Sequence, residues 1–239
     1  MSVKKYIPNL ITSLGLASGV LGVVFALEGK IWLAFPLMLA AAVFDFCDGL
    51  AARALDAYSD MGKELDSLSD MVSFGVLPAV MLYNLMKTCT FSSSVWCMVP
   101  LLLAVFSGLR LAKFNVDPRQ HRSFMGLATP VSALLCGSLC YFVAHEPASL
   151  LATLSGGLVF VPVLAAVLCA LLVCEVPMFS MKVAADDTKT VLLKRVSFIV
   201  EVAIIVAVVL LLGHNWSLAV TLSCVLYILK NLVYAIFKV

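Results

Sequence analysis

Long apolar stretches run the length of the chain, with short polar connections between them. Each stretch approaches the ~20 residues that an α-helix needs to cross the hydrocarbon core of a bilayer. The breaks in hydropathy predict eight helices, near residues 8–27, 31–54, 65–87, 95–112, 127–145, 150–174, 196–212 and 216–237. We therefore expect an all-α, polytopic membrane protein without a separate soluble domain.

The composition agrees with this expectation. Of the 239 residues, 63% are hydrophobic and 13% are charged, and the mean hydropathy is +1.09. The net charge of +2, without a basic tract interleaved with aromatic residues, argues against a nucleic-acid partner. Most of the eight cysteines lie inside apolar runs, where cysteine acts as a small hydrophobic residue rather than as a disulfide or zinc ligand.

The N-terminus resembles a secretion signal, because Lys4 and Lys5 precede an apolar run. The run is long for a signal sequence, and further apolar stretches follow it at once. We expect this segment to be retained as the first helix of the membrane protein.

The positive charges predict the orientation of the chain in the membrane. If the N-terminus is cytoplasmic, fourteen of the sixteen lysines and arginines fall on the cytoplasmic side, and only Lys30 and Lys87 fall outside. Lysine and arginine accumulate in cytoplasmic loops. Both termini are therefore predicted to face the cytoplasm.

Half of the fourteen acidic residues fall in one short window, between residues 45 and 70. Asp45 and Asp48 are predicted at the cytoplasmic end of the second helix, and Asp66 and Asp70 in the opening turns of the third. Spacings of three and four residues put each pair on one helix face, so the four carboxylates are predicted to converge near the membrane surface. The other three members of the window are predicted to form a solvated turn: Asp56, Asp60 and Glu64.

Converging carboxylates repel one another and need a counter-charge to remain ionised together. Carboxylate oxygens are hard ligands suited to Mg²⁺, Mn²⁺ or Ca²⁺, and an ionised group within a membrane helix is costly and marks function. We therefore predict that Asp45, Asp48, Asp66 and Asp70 bind one or two divalent ions.

Small residues and one arginine flank these aspartates. Gly49, Ala52 and Gly62 let helix backbones approach closely or leave room for a ligand. Arg53, on the same helix as the first two aspartates, is a candidate partner for phosphate oxygens.

Together these residues read D-x-x-D-G-x-x-A-R, eight further residues, and then G-x-x-x-D-x-x-x-D. The pattern resembles the signature of the CDP-alcohol phosphotransferase family at every specified position. The resemblance implies a six-helix core with a di-metal site at the cytoplasmic interface, placed in residues 1–175, and a loop with two extra membrane helices in residues 176–239. It also implies transfer of a phosphatidyl-type group from a CDP-linked donor to an alcohol, with CMP leaving.

By the same resemblance, Asp70 is the catalytic base and also touches a metal, while the other three aspartates are the main metal ligands. Asn9 and Thr12 either contact the cytosine or only begin the first helix after Pro8. The residues expected to bind CDP-diacylglycerol are Asn9, Thr12, Asp45, Gly49, Ala52, Arg53 and Gly62.

Four further stretches resemble the bacterial and archaeal phosphatidylserine synthase branch of this family. They are "IPNLITSLGLASG", "SDMVSFGVLPA", "GLRLAKFNVD" and "FMGLATP", and the resemblance covers most of residues 1–180. It implies CDP-diacylglycerol and L-serine as substrates and phosphatidylserine as the product. It further implies a multi-pass protein of a prokaryotic inner or plasma membrane, with its active site facing the cytoplasm.

A zwitterionic amino acid needs a cation for its carboxylate and acceptors for its amine. Lys113 stands where the branch usually has arginine, and lysine cannot form the bidentate pair that arginine forms with a carboxylate. Ala128 replaces a proline that is common in the branch. Arg110 and Asn115 are therefore the preferred candidates. The residues expected to bind the acceptor are Ser73, Arg110, Lys113 and Asn115.

Two alternatives remain open at this point. The same chemistry could use glycerol 3-phosphate or inositol phosphate as the acceptor. A cation transporter is the alternative from another class, because intramembrane carboxylates also mark ion pathways. A transporter should carry its acidic residues near the bilayer midplane, whereas here they are predicted at one face.

The last two predicted helices carry no matching motif. Glu201, inside the seventh, is expected to need a cationic partner such as Lys194 or Arg195. We expect these helices to serve as a packing surface or a homodimer interface.

Overall fold

The computed structural model describes residues 6–90, 95–116, 124–178 and 189–237. Within these residues the fold is helical apart from one short pair of strands. The helices are α1 (Tyr6–Leu27), α2 (Ile31–Ala54), α3 (Asp60–Asp70), a π-helical turn (Met71–Val76), α4 (Leu77–Thr90), a 3₁₀ segment (Val95–Leu101), α5 (Leu102–Val116), α6 (Thr129–His145), α7 (Leu150–Ser155), α8 (Phe160–Val173), α9 (Lys189–Leu211) and α10 (Trp216–Phe237). Strands β1 (Phe124–Met125) and β2 (Pro177–Met178) pair antiparallel.

Five helical segments of the described chain are long and apolar enough to cross a membrane. They are Tyr6–Leu27, Ile31–Ala54, Asp60–Cys89, Val95–Val116 and Trp216–Ile236. The helices Thr129–His145 and Phe160–Val173 are apolar but shorter. The protein is therefore an all-α, multi-span membrane protein. Its division into a six-helix core and two extra helices stays a prediction.

The predicted orientation also stays a prediction, because no membrane is present in the structure. Several charges that support the orientation lie outside the described residues: Lys4, Lys5, Arg119, Arg122, Lys182 and Lys238.

The third helix begins earlier than predicted, at Asp60 instead of residue 65. Ser59 is its N-cap, and the Ser59 hydroxyl accepts a hydrogen bond from the Gly62 amide at 3.0 Å. A polar cap starts a helix where hydropathy alone predicts a loop. Asp66 therefore lies in the second turn of α3, whereas Asp70 is its last residue, so the predicted place of Asp70 in the opening turns is wrong.

Two other predicted bounds are also wrong. The helix predicted near 150–174 is divided into α7 and α8, because Gly156 and Gly157 follow Ser155 and glycine disfavours helix continuation. The helix predicted from residue 196 begins at Lys189. Its first two turns carry three basic residues, Lys189, Lys194 and Arg195, and hydropathy had assigned them to a connection.

Helices α1, α2 and α4 approach one another closely along a row of glycines on α1. A Cβ on Gly19 would clash with Ser73, and one on Gly22 would lie 2.7 Å from a methyl carbon of Leu77. Small residues let helix backbones come close within a membrane. The close packing brings the N-terminal end of α1 against the C-terminal end of α2 and against α3.

Helix α10 packs on α6. The hydroxyl groups of Ser138 and Thr221 are 2.8 Å apart between these helices. At the end of α6, the Glu146 carboxylate accepts a hydrogen bond from the Asn215 amide at 2.6 Å and one from the His214 ring, and the Asn215 contact lowers the pKa of Glu146. Helix α9 packs in turn on α10. Homodimerisation through these helices stays a prediction.

Glu201 on α9 has its cationic partner on the neighbouring helix. The Lys230 ammonium on α10 contacts the two Glu201 carboxylate oxygens at 2.8 and 2.9 Å, and it also donates to the Ser197 hydroxyl at 3.1 Å. The prediction of a cationic partner for Glu201 is confirmed, but the partner is Lys230 on α10 and not one of the two residues named from the sequence, Lys194 and Arg195.

We expect Lys230→Met to lower the stability of the protein by about 2–3 kcal/mol, because it leaves the Glu201 carboxylate unpaired within an apolar helix. Thermal unfolding of the purified protein in detergent measures the effect. The double variant Lys230→Met/Glu201→Gln is the control, and it should regain most of the loss because it removes the charge. Equal melting temperatures for the wild type and the single variant would contradict this prediction.

Candidate functional site

The turn between α2 and α3 brings the two halves of the acidic window together. Asp56 follows α2 with a φ of 48°, in the left-handed region that aspartate tolerates better than most residues. Ala57 is buried, and Ser59 then caps α3. Of the three residues predicted to form a solvated turn, Asp56 lies in the turn, whereas Asp60 and Glu64 belong to α3, and all three are exposed.

Three of the four signature aspartates form a tight cluster. Asp45, Asp48 and Asp66 each offer a carboxylate oxygen, and these oxygens lie within 4.8 Å of one another. The carboxyl groups of Asp45 and Asp66 are in hydrogen-bond contact. Such contact between two carboxyl groups requires a shared proton or a bound cation. This oxygen-only donor set suits a hard divalent ion and can hold one.

Thr12 connects the first helix to this cluster. Its hydroxyl donates to Asp48 Oδ2 at 2.5 Å, and both side chains are buried. Ser69 on α3 also contacts the Thr12 carbonyl oxygen at 3.5 Å. The start of α1 therefore orients one carboxylate of the cluster.

Asp70 lies beside the three-carboxylate cluster and does not belong to the set of oxygens within 4.8 Å. It interacts electrostatically with all three aspartates and with the Arg110 guanidinium. A π-helical turn, Met71–Val76, follows it directly. Such turns within α-helices are frequent at functional sites.

An open cleft of about 240 Å³ lies between α1, α2 and α3. Two of the clustered carboxylates, Asp48 and Asp66, form part of its wall. The cleft is also lined by most of the residues expected to bind the nucleotide donor: Asn9, Thr12, Gly49, Ala52 and Gly62.

The two signature glycines have different functions in this cleft. A Cβ on Gly62 would lie 2.9 Å from Asn9 Oδ1, so glycine permits the close approach of α3 to α1. A Cβ on Gly49 would meet nothing within 4 Å and would stand in the cleft. Gly49 therefore leaves space for a group of a bound molecule.

Two basic residues differ from the expectation for the cleft. Arg53 is exposed, its Nε donates to the Gly49 carbonyl oxygen at 3.0 Å, and it does not line the cleft. Lys63, which the sequence did not single out, does line it. The only signal for Lys63 is its position directly after Gly62 in the signature.

Arg110 is a buried cation that interacts with Asp70. Its side chain is 7% exposed, Nη1 donates to the Thr129 hydroxyl at 3.2 Å, and Cζ lies 5.1 Å from the centre of the Phe114 ring. Among the described residues, Nε has no hydrogen-bond partner. Arg110 interacts with Asp70 through space, without a direct ion pair in this part of the chain.

The other expected acceptor residues occupy three different environments. Asn115 donates to the Ser67 hydroxyl at 2.9 Å and so lies against α3. Lys113 forms an ion pair with Glu175 at 3.0 Å. Ser73 is buried against Gly19 in the π-helical turn, and its hydroxyl has no partner among the described residues. Of the four expected acceptor residues, Arg110 and Asn115 are therefore the two on α5 that interact with α3, through Asp70 and Ser67.

The chain matches the family model described as CDP-alcohol phosphatidyltransferase over residues 5–161. It is 41% identical to a CDP-diacylglycerol–serine O-phosphatidyltransferase of Mycobacterium tuberculosis over 137 residues, which are 54% of this chain and 47% of that protein. Proteins of the same name from Bacillus subtilis and Methanocaldococcus jannaschii are 35% and 34% identical, over 54% and 65% of this chain and 72% of each relative.

These matches confirm the family predicted from the signature, and the chain belongs to the CDP-alcohol phosphatidyltransferase family. The matched segment spans about half the length of the mycobacterial relative. All four signature aspartates and both signature glycines fall inside the matched region.

Proposed function

We propose that the protein transfers a phosphatidyl group from CDP-diacylglycerol to the hydroxyl of L-serine, forming phosphatidylserine and releasing CMP. The observation that carries the proposal is the position of Asp70. This carboxylate interacts electrostatically with the three-aspartate cluster and with the buried Arg110 guanidinium. Asp70 can accept a proton there, while Arg110 holds the carboxylate of an amino acid.

The cleft between α1, α2 and α3 is proposed to bind the donor. Gly49 leaves open space in its wall, and Asn9 and Thr12 offer polar contacts to a nucleotide. Lys63 adds a positive charge where the donor carries its diphosphate. Asp45 and Arg53, expected at the donor, lie outside the cleft wall, and Arg53 would have to release Gly49 to reach a phosphate.

Asp45, Asp48 and Asp66 are proposed to hold a divalent cation, Mg²⁺ or Mn²⁺, with Asp70 beside it. A second ion at the same site stays a prediction. Such ions stabilise negative charge on transferring phosphoryl oxygens and on the leaving group. The donor set fits them because it offers carboxylate oxygens alone.

Asp70 is proposed as the general base. The serine Oγ–P bond forms as the P–O bond to CMP breaks, and the hydroxyl proton passes to the Asp70 carboxylate. Arg110 is proposed to bind the serine carboxylate. Asn115 is proposed to lie near the bound serine as well, because it contacts Ser67 on the helix that carries Asp70. Lys113 is engaged with Glu175, so it is a weaker candidate for that contact.

Residues 1–175 are proposed to be the catalytic part, because every proposed site residue lies there. The relatives named as serine O-phosphatidyltransferases support serine as the acceptor. Membership of the family favours a transferase over a cation transporter.

An acceptor panel tests the proposal. The purified full chain, in liposomes that contain CDP-diacylglycerol, is offered labelled L-serine, glycerol 3-phosphate or inositol phosphate with Mg²⁺ or Mn²⁺. We expect labelled lipid and stoichiometric CMP with serine alone. Labelled lipid with another alcohol and none with serine would show that the acceptor is wrong. Absence of CMP release with every acceptor would contradict transferase chemistry.

We expect Gly49→Leu to lower the affinity for CDP-diacylglycerol by about tenfold or more, because the side chain would fill space that the donor needs. The melting temperature should not fall, since a Cβ at this position meets nothing within 4 Å and leucine favours a helix more than glycine does. Equilibrium binding of labelled donor measures the effect, and Gly49→Ala is the smaller control. Wild-type affinity in Gly49→Leu would place the donor elsewhere.

A further inference from the structure

The Arg110 guanidinium has one engaged edge and one open edge. Nη1 is held by the Thr129 hydroxyl, and the Phe114 ring lies under the planar group. Nε, on the other edge, has no partner among the described residues although the side chain is buried. A buried, charged donor without a partner is strongly unfavourable, which indicates that the open edge receives an anionic group of a bound molecule.

We propose that Thr129 and Phe114 are positioning residues that hold this open edge toward the carboxylate of an amino-acid acceptor. The inference rests on the proposed function and adds the residues that determine acceptor selectivity. Thr129 begins α6 and is fully buried, so its hydroxyl is fixed in place. Phe114 lies one helical turn after Arg110 on α5 and restricts the guanidinium plane.

The two groups suit the two ends of a zwitterionic acceptor. Serine carries its carboxylate and its hydroxyl on adjacent carbons, and Arg110 and Asp70 interact electrostatically without a direct ion pair among the described residues. A molecule of this size can place the carboxylate at Arg110 and the hydroxyl at Asp70. The open edge of one guanidinium matches one carboxylate in a bidentate pair.

The Thr129 hydroxyl also limits what the arginine can bind. A guanidinium has five N–H donors, and one of them is engaged by Thr129. Thr129 therefore fixes which edge of the guanidinium remains for an anionic group of the acceptor.

The test compares Thr129→Val with Thr129→Ser in the full chain, purified in detergent and assayed with CDP-diacylglycerol and L-serine. Valine keeps the shape and removes the hydroxyl, whereas serine keeps the hydroxyl. We expect Thr129→Val to raise the KM for serine by about 10-fold or more, as for a lost hydrogen bond to a charged group. The kcat should fall less, donor binding should not change, and Thr129→Ser should lie within a few-fold of the wild type.

Thr221→Val is the matched control, because Thr221 is also a buried, hydrogen-bonded threonine but lies between α10 and α6. It should leave the KM for serine unchanged. A wild-type KM in Thr129→Val would overturn the inference, as would equal defects in the valine and serine variants. If the wild type uses only a phosphate-bearing acceptor, the proposed function itself fails. If the wild type uses serine and Thr129→Val is normal, this inference alone fails.

Discussion

Replacing Asp70 by asparagine is expected to reduce turnover by about 10³-fold or more while much of the affinity for CDP-diacylglycerol remains. The amide keeps the shape of the side chain but cannot accept the proton of the acceptor hydroxyl. Asp70 lies beside the three-carboxylate cluster and not within its set of close oxygens. Its replacement should therefore weaken a bound ion less than it weakens catalysis.

The measurement is the single-turnover release of CMP from donor-saturated protein, with donor affinity determined separately. Asp60→Asn is the matched control, because Asp60 is an exposed aspartate on the same helix. It should retain wild-type turnover. Near-normal CMP release from Asp70→Asn would remove Asp70 from the proposed chemistry. Loss of donor binding equal to the loss of turnover would assign it to binding instead.

Removal of divalent cations is expected to abolish transfer, and their return should restore it. Without a cation, the carboxylates of Asp45, Asp48 and Asp66 stand within 4.8 Å of one another with no counter-charge inside the cluster. Treatment with EDTA followed by gel filtration should give protein without detectable CMP release. Addition of Mg²⁺ or Mn²⁺ should restore activity. A parallel sample with Ca²⁺ tests whether that ion binds the site without supporting transfer.

Direct binding separates this prediction from the activity assay. Electron paramagnetic resonance should detect protein-bound Mn²⁺ in the wild type, and Asp66→Asn should weaken that binding by at least about tenfold. Glu64→Gln, an exposed acidic residue on the same helix, is the control. Full activity after thorough chelation, or equal Mn²⁺ binding by Asp66→Asn, would contradict a metal function for the cluster.

Local sequence spacing was enough to predict the convergence of three signature aspartates. Residues three or four positions apart lie on one face of a helix. Because the turn between α2 and α3 is short, the aspartates of the two helices come close together. The same spacing did not distinguish Asp70 from the others. Asp70 lies one helical turn beyond Asp66 on α3, so its separation from the cluster depends on how α3 packs against the neighbouring helices.

The residues proposed to bind the nucleotide donor were predicted from the sequence, but the contacts that these residues make were not. Asn9 and Thr12 line the cleft as expected, but the hydrogen bond from Thr12 to Asp48 joins residues that are 36 positions apart. Arg53 has the right chemistry for phosphate, and yet its side chain bonds to the preceding helical turn. Lys63 lines the cleft because of the path of α3, which composition does not reveal.

The sequence by itself determined the membrane class, the family and the identity of the acidic cluster, because hydropathy and short-range spacing depend on neighbouring residues. Only the tertiary structure decided which charges meet. Lys113 pairs with Glu175 across 62 positions, Lys230 pairs with Glu201, and Thr129 holds Arg110. Such contacts depend on how separate helices pack, and the period of a single helix fixes which side chains share a face but not which helix lies against that face.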